Sequence, residues 1–442
     1  MSLTIVIKPR IERPNRLALC ALLITLALPS CSVTSLSRAQ PPAVVLTVTS
    51  LIQDEHLEVE RELIAPFTRD TGIQVHIVPI LESVTERLEQ YRQFLRTQSP
   101  EPDVLKLDVI WPGLLADDLL DLNPSLKSDA ALHDPDLIRN GTVQGRLVGM
   151  PITLDIGLLY YRSDLLREYG FKDPPHTWVE LERMAKVIQT GERRKGHADF
   201  WGYVWEGAEY EGLTCNALEW QSAAGGGRII DDTGTITVNN PANIAALTRA
   251  ANWVGTISPP AVVTYKEEDV KNIWGAGNAA FMRNWQYAYR YSLEEASNLR
   301  GRVGLAPLPG GGIIGGDSLG VSRFSTHKQE AIKFVKYFTG YSQQLGRWRT
   351  SQSFPTMPSV YRDAELRNTL QPLAPVHTVI MGGMFARPSA SAAKSYDQLS
   401  RVYFTAVHSV LMHPTSAKAA IANLETELAR LPGLHLPPSP RE

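Results

Sequence analysis

Between residues 44 and 110 the apolar pattern changes period four times, and this alternation restricts the fold more than any other feature of the chain. Residues 44–49 alternate as a buried strand does, 57–71 carry a helical repeat, Gly72 breaks it, and 73–79 read as a second strand. A second helical stretch over 82–97 and a third strand over 104–110 complete the series. Strands separated by helix-length segments cannot be hairpins. The order predicts an α/β fold whose sheet is parallel and covered by helices on its faces.

A varied form of the pattern follows. Residues 145–151 and 156–161 read as strands, and Thr177-Trp178-Val179-Glu180 is a capping box opening a helix toward Thr190. A hairpin is expected at Asp232-Thr233-Gly234 and a helix after Asn240, with Pro241 in its first turn. Strands return at 279–284 and 303–307, and the last third is mainly helical, with amphipathic stretches at 327–339, 395–411 and 415–431. Two α/β lobes with a helical trailing part is the economical reading.

The start of the chain reads as an export signal. Lys8, Arg10, Arg13 and Arg16 precede the apolar run 17–28, interrupted only by Cys20 and Thr25. That run falls short of the about twenty residues that a spanning helix needs. Leu28-Pro29-Ser30-Cys31 resembles the lipobox of bacterial lipoproteins, with Pro29 as a departure from it. The expectation is a signal peptide over 1–30, lipidation at Cys31, a Ser- and Pro-rich tether over 31–43, and a protein exported and anchored by lipid to the cell membrane, on its periplasmic or extracellular face. A plain secretory signal with an incidental cysteine, or an uncleaved anchor, are the other readings of the segment. With Cys31 lipidated and Cys20 removed, Cys215 is the one thiol left and no intramolecular disulfide can form.

Composition excludes some partners. Lys plus Arg number 44 against 46 Asp plus Glu, a net charge of −2, which offers no footprint for nucleic acid. Ten His residues contain no H-E-x-x-H or comparable spacing, so neither a metal nor any other cofactor is expected. The glycines at 225–227 and 310–312 lack the G-K-[ST] of a phosphate loop, so the chain has no ATPase motif of its own.

Residues 201–220 pack five aromatic rings, the carboxylates of Glu206, Glu211 and Glu219, and the amide of Asn216 into one short run. Flat apolar faces beside hydrogen-bonding groups suit a sugar, and the same rings equally suit a core.

Five pieces in fixed order carry a family resemblance: 102–111 (PDVLKLDVIW), 155–162 (DIGLLYYR), 201–220, 281–285 (FMRNW) and 386–388 (ARP). From about residue 44 to 431 the chain resembles the extracellular solute-binding proteins (family 1) of ATP-driven sugar importers, of the trehalose/maltose-binding type. The resemblance implies a two-lobe periplasmic-binding-protein fold (type II, maltose-binding-like), with lobe 1 formed by 44–153 plus 303–355 and lobe 2 by 154–302 plus 356–434. It also implies a disaccharide or short oligosaccharide held between the lobes, a monomer, and membrane permease subunits with a separate ATPase as partners.

On that resemblance Asp108, at the carboxyl end of a strand, and Asp155, where the chain crosses between lobes, accept hydrogen bonds from sugar hydroxyls. Trp285 stacks on a sugar face, and Arg387 either pins a hydroxyl or pairs with an acid across the lobes. Asp54 and Glu55, Asn216, Gly316 and Asp317 complete the candidates. Asp317 and Thr153 stand where members of this type often carry aromatic residues, so the class of ligand transfers better than its identity.

Two enzyme readings compete. Gly316-Asp317-Ser318-Leu319-Gly320 satisfies G-x-S-x-G and spells GDSL, but an extended segment follows the Ser and no D-x-x-H follows it in the chain, the one such run, Asp173-Pro174-Pro175-His176, lying upstream. A cleft glycoside hydrolase would also want aromatic platforms and paired carboxylates. Turnover of the sugar distinguishes it from a receptor.

Overall fold

The computed structural model describes residues 44–51, 57–81, 84–289, 298–351, 353–369 and 384–438. The expected signal, Cys31 and tether, together with Asp54 and Glu55, lie outside these residues. In chain order the strands are β1 (Val45–Thr49), β2 (Gln74–Val78), β3 (Val104–Asp108), β4 (Thr142–Val143), β5 (Arg146–Leu147), β6 (Met150–Pro151), β7 (Asp155–Arg162), β8 (Trp201–Val204), β9 (Ala279–Trp285), β10 (Val303–Pro307), β11 (Gly312–Gly315), β12 (Asp317–Val321) and β13 (Met384–Phe385).

Two mixed sheets organise all but β4 and β5, which pair antiparallel with each other. The first runs β2-β1-β3-β12-β6; the second runs β13-β11-β7-β9-β8, with β10 also on β7. As the alternation predicts, β1 lies parallel to β2 and β3, because the helices Leu57–Thr71 and Val84–Arg96 serve as crossovers between them. The sheets are not wholly parallel, however. β12 joins β3 and β6 antiparallel, and β9, β10 and β11 all join β7 antiparallel. These strands arrive from distant parts of the chain, so no crossover helix dictates their direction. The strand expected over 145–151 is split, since the amides of Val148 and Gly149 both turn to the Gly141 carbonyl.

The local signals for helices hold. Thr177 and Glu180 form a reciprocal capping box for Trp178–Arg194, and the Asn240 side chain accepts from the Asn243 amide at the start of Pro241–Trp253. Lys328–Thr339, Tyr396–Met412 and Ala417–Leu428 make the trailing part helical. Among the described residues no helix is long and apolar enough to cross a membrane.

Strand β3 shows how the core is divided. Val104 packs with Leu46, Val48 and Phe334 on one face of the first sheet. Leu105 and Leu107, on the other face, pack with Tyr91 and Trp111 in a larger cluster that continues into the second sheet. A Leu fully buried in this way contributes about 1.5–3 kcal/mol, which holds β3 from both sides. In that larger cluster Tyr203, Trp205 and Trp220 of the aromatic run are wholly buried, with Trp253 edge-to-face against Tyr203 and Trp220. Most of the run is therefore core.

The chain passes from the first sheet to the second between β6 and β7 and returns between β11 and β12. The return was expected at residue 303. It falls at Gly316 instead, because β10 and β11 hydrogen-bond to β7 of the second sheet. An apolar strand carries no local mark of the sheet that it will join, so the sequence pattern could not place this point.

Candidate functional site

The two crossings lie side by side. Gly315 is the register partner of Asp155 in the second sheet, and two residues later Asp317 is the partner of Asp108 in the first. Gly316 is the pivot. Its own φ is +109°, and a Cβ there would lie 2.3 Å from the Thr153 carbonyl oxygen, so only glycine fits. The Asp317 carbonyl accepts from the Ile152 amide at 2.9 Å, the Asp317 amide donates to Thr153 Oγ1 at 3.0 Å, and the Val109 amide donates to the Gly316 carbonyl at 3.0 Å. A crevice lined by Val109, Asn140, Thr153, Gly316 and Asp317 opens at this junction.

Three carboxylates gather here. Asp108 and Asp317 keep about a fifth of their side-chain surface exposed, 21% and 20%, as groups at the wall of an opening do. Asp317 pairs with Lys106 at 3.1 Å. Burial pushes the Asp108 carboxyl up from its ordinary value, with the Arg387 guanidinium 4.0 Å away opposing the shift and Asp317 adding to it. Burial, reinforced by Asp317, raises Asp155 to about 6, and Gln286 Nε2, which donates to Asp155 Oδ1, holds the side chain in place.

Trp285 ends β9, half-buried, and its indole lies against Gly315 and Asp155: a Cβ on Gly315 would meet Trp285 Cζ3 at 2.9 Å and Asp155 Cβ at 3.1 Å. Arg387 is almost enclosed, with Nη1 donating to Glu211 Oε1 at 2.8 Å. Glu211 in turn accepts from Tyr396 and Ser400. Of the two roles expected for Arg387, pairing with acids is the one its present contacts fill.

The structure thus brings together Asp108, Asp155, Trp285, Gly316, Asp317 and Arg387. Asn216 is different. It sits at 0% exposure inside the buried helix Glu211–Ala223, its Nδ2 donating to the Gly212 carbonyl, so as the chain stands it has no open side from which to reach a ligand. Ser318 of the GDSL run lies inside β12, 7% exposed and followed by more strand, which is not the geometry of a nucleophile elbow. Sequence reasoning passed over Lys106 and Gln286, and took Glu211 only as one acid of the aromatic run. Lys106 had a signal: strand period places it on the same face as Asp108, a cation in an otherwise apolar run.

Asp155 carries a testable pH dependence. With its folded pKa at about 6 against an ordinary 3.8, the native state holds the proton that the unfolded chain releases, so stability falls as pH rises between these values. Asp155→Asn removes that penalty while keeping an acceptor for Gln286. The ligand-free variant is expected to gain about 1–2 kcal/mol at neutral pH, after discounting for partial exposure, and nothing below the ordinary aspartate range. Urea midpoints at about pH 4 and pH 7 read this directly; equal midpoints of variant and parent at both would disprove it.

Residues 53–345 match the Bacterial extracellular solute-binding protein family. A probable ABC transporter-binding protein of Deinococcus radiodurans is 41% identical over 374 residues, 83% of this chain and 89% of that relative. The solved structure described as maltose-bound T. maritima MalE3 is 36% identical with a TM-score of 0.78, over 87% of this chain and 99% of that one. The maltodextrin-binding protein MdxE of Bacillus subtilis is 23% identical over 361 residues, 78% of this chain and 81% of that relative. The two-lobe, maltose-binding-like fold is shared along with the sequence, and the chain belongs to the bacterial extracellular solute-binding proteins of ABC transporters.

Proposed function

We propose that this chain is a lipid-anchored receptor that captures a disaccharide or short oligosaccharide, of maltose or trehalose type, between its two lobes and hands it intact to a membrane permease driven by a separate ATPase. The observation that carries the reading is the half-buried indole of Trp285 set against Asp155, with Asp108 and Asp317 across the junction. An indole offers a face to sugar C–H groups, and each carboxylate accepts from two neighbouring hydroxyls. The maltose named for the relative at 36% identity supports the same class.

In this reading Trp285 and Asp155 grip the sugar from the second lobe and Asp108 and Asp317 from the first. Arg387 gives up part of its pairing to a hydroxyl, and Gly316 lets the backbone approach. Closure is then driven by the ligand's preference for the closed state, which requires contacts from both sides. Glu55, outside the described residues, is a further candidate for the rim, and the receptor acts as a monomer.

The test is a thermal-shift screen against maltose, trehalose and other disaccharides. A ligand at a hundred times its dissociation constant stabilises by about 2.7 kcal/mol and is recovered uncleaved. No shift with any of them contradicts the sugar assignment, and cleavage favours the glycosidase. For the anchor, Cys31→Ala is expected to move the protein from the membrane fraction to the soluble fraction; unchanged partition on cell fractionation argues against lipidation at Cys31.

A further inference from the structure

Behind the indole lies a charge cluster that the sugar-binding reading does not use. Arg283, two residues before Trp285 and on the same face of β9, is wholly enclosed, and its Cζ stands 4.2 Å from the centre of the Trp285 ring. Arg283 Nε and Nη2 donate to the two oxygens of Glu219 at 3.0 and 2.8 Å, and Nη1 donates to Glu206 Oε1 at 2.7 Å. Both carboxylates are as buried as the guanidinium, at 0% and 1% exposure. Their remaining capacity is used: Glu219 accepts from the Ile313 amide at 3.2 Å, and Glu206 Oε2 accepts from the Tyr210 hydroxyl.

The neighbouring strand makes room for this cluster. Gly157 is the register partner of Trp285, and a Cβ there would lie 2.1 Å from Glu219 Oε1 and 2.7 Å from Arg283 Nη2. Three charges so deeply buried are a poor source of stability, since well-packed apolar side chains of the same volume usually serve as well or better. What a clamped guanidinium supplies instead is a rigid plane, fixed from two sides, against which an indole is held by cation–π attraction.

We propose that Glu206, Arg283 and Glu219 are positioning residues that fix the ring of Trp285 in the orientation that receives the sugar. The proposal rests on the reading of Trp285 as a sugar platform, and its test separates the two. Full-length protein labelled with 5-fluorotryptophan is observed by fluorine NMR without ligand, the Trp285 resonance being the one lost in Trp285→Phe. That resonance is expected to be single and narrow in the parent and to split or broaden in Arg283→Lys, which keeps the charge but lacks the plane. Glu206→Gln, which leaves a neutral pair, is the second variant should Arg283→Lys not fold. An unchanged Trp285 resonance in the folded variant overturns the proposal.

Maltose titrations complete a double-mutant cycle. Arg283→Lys is expected to weaken binding by roughly 3–10-fold in the parent and by less than about twofold in Trp285→Ala, as a group acting only through the ring must. Equal losses in both backgrounds point to a merely structural role and overturn the proposal. Unchanged maltose affinity in Trp285→Ala overturns the platform reading instead, and absence of maltose binding in the parent leaves the positioning role to be decided by the fluorine signal.

Discussion

Replacing Arg283 with Met is expected to cost about 3–5 kcal/mol of stability, the loss typical when one partner of a buried ion pair is removed. The guanidinium faces two carboxylates, Glu206 and Glu219, and none of the three is more than 1% exposed. Methionine fills much of the volume but leaves two acids enclosed without a cation, and they must take up protons or remain charged in a medium that does not solvate them. Burial already pushes Glu219 upward while Arg283 opposes the shift, so removal of the arginine raises it further.

The sign of the pH dependence follows. Once the folded pKa of Glu219 stands well above the ordinary 4.5, the native state binds more protons than the unfolded chain, and stability declines as pH rises through that window. The deficit of Arg283→Met should therefore be smaller at about pH 5 than at about pH 7.5, and adding Glu219→Gln should recover part of it. Denaturant midpoints at the two values read both effects; a deficit that is independent of pH and unmoved by Glu219→Gln would mean that lost packing, not charge, is responsible.

This cluster also marks how far the sequence could be read. Arginine in the middle of FMRNW, on a strand that is apolar up to that point, is a visible anomaly, but its acids lie 64 and 77 residues away and nothing local points to them. The same division runs through the fold. β1 to β3 were legible because period and crossover length constrain a parallel unit by themselves, and with them the place of Asp108 at the carboxyl end of β3. The return at Gly316 was not, since β10 and β11 look the same whichever sheet they join.

In the aromatic run both readings of the rings began from the same residues. Tertiary packing decided for the core at Tyr203, Trp205 and Trp220, and it took Asn216 inside with them. Trp285 escaped only because it is the last residue of its strand, where the sheet ends and the indole can keep one side open.

That position makes Trp285→Ala a mutation of binding more than of folding. An indole that covers one face of a sugar contributes on the order of 1.5–3 kcal/mol, so affinity for the ligand should fall by about 10–100-fold, mostly through faster dissociation. The fold should survive. The register of β9 on β7 is set by backbone pairing along five residues, and the Tyr160 hydroxyl donates to the Trp285 carbonyl, which alanine retains. Truncating Trp205 or Trp220, wholly enclosed and edge-to-face with each other, should do the reverse and cost about 3–5 kcal/mol of stability. The ratio of the two effects therefore separates a platform from core filling. Calorimetric titration alongside urea denaturation measures it, and a Trp285→Ala protein that binds as tightly as its parent while unfolding at lower urea would place the ring in the core and leave the acids at the junction without an apolar partner.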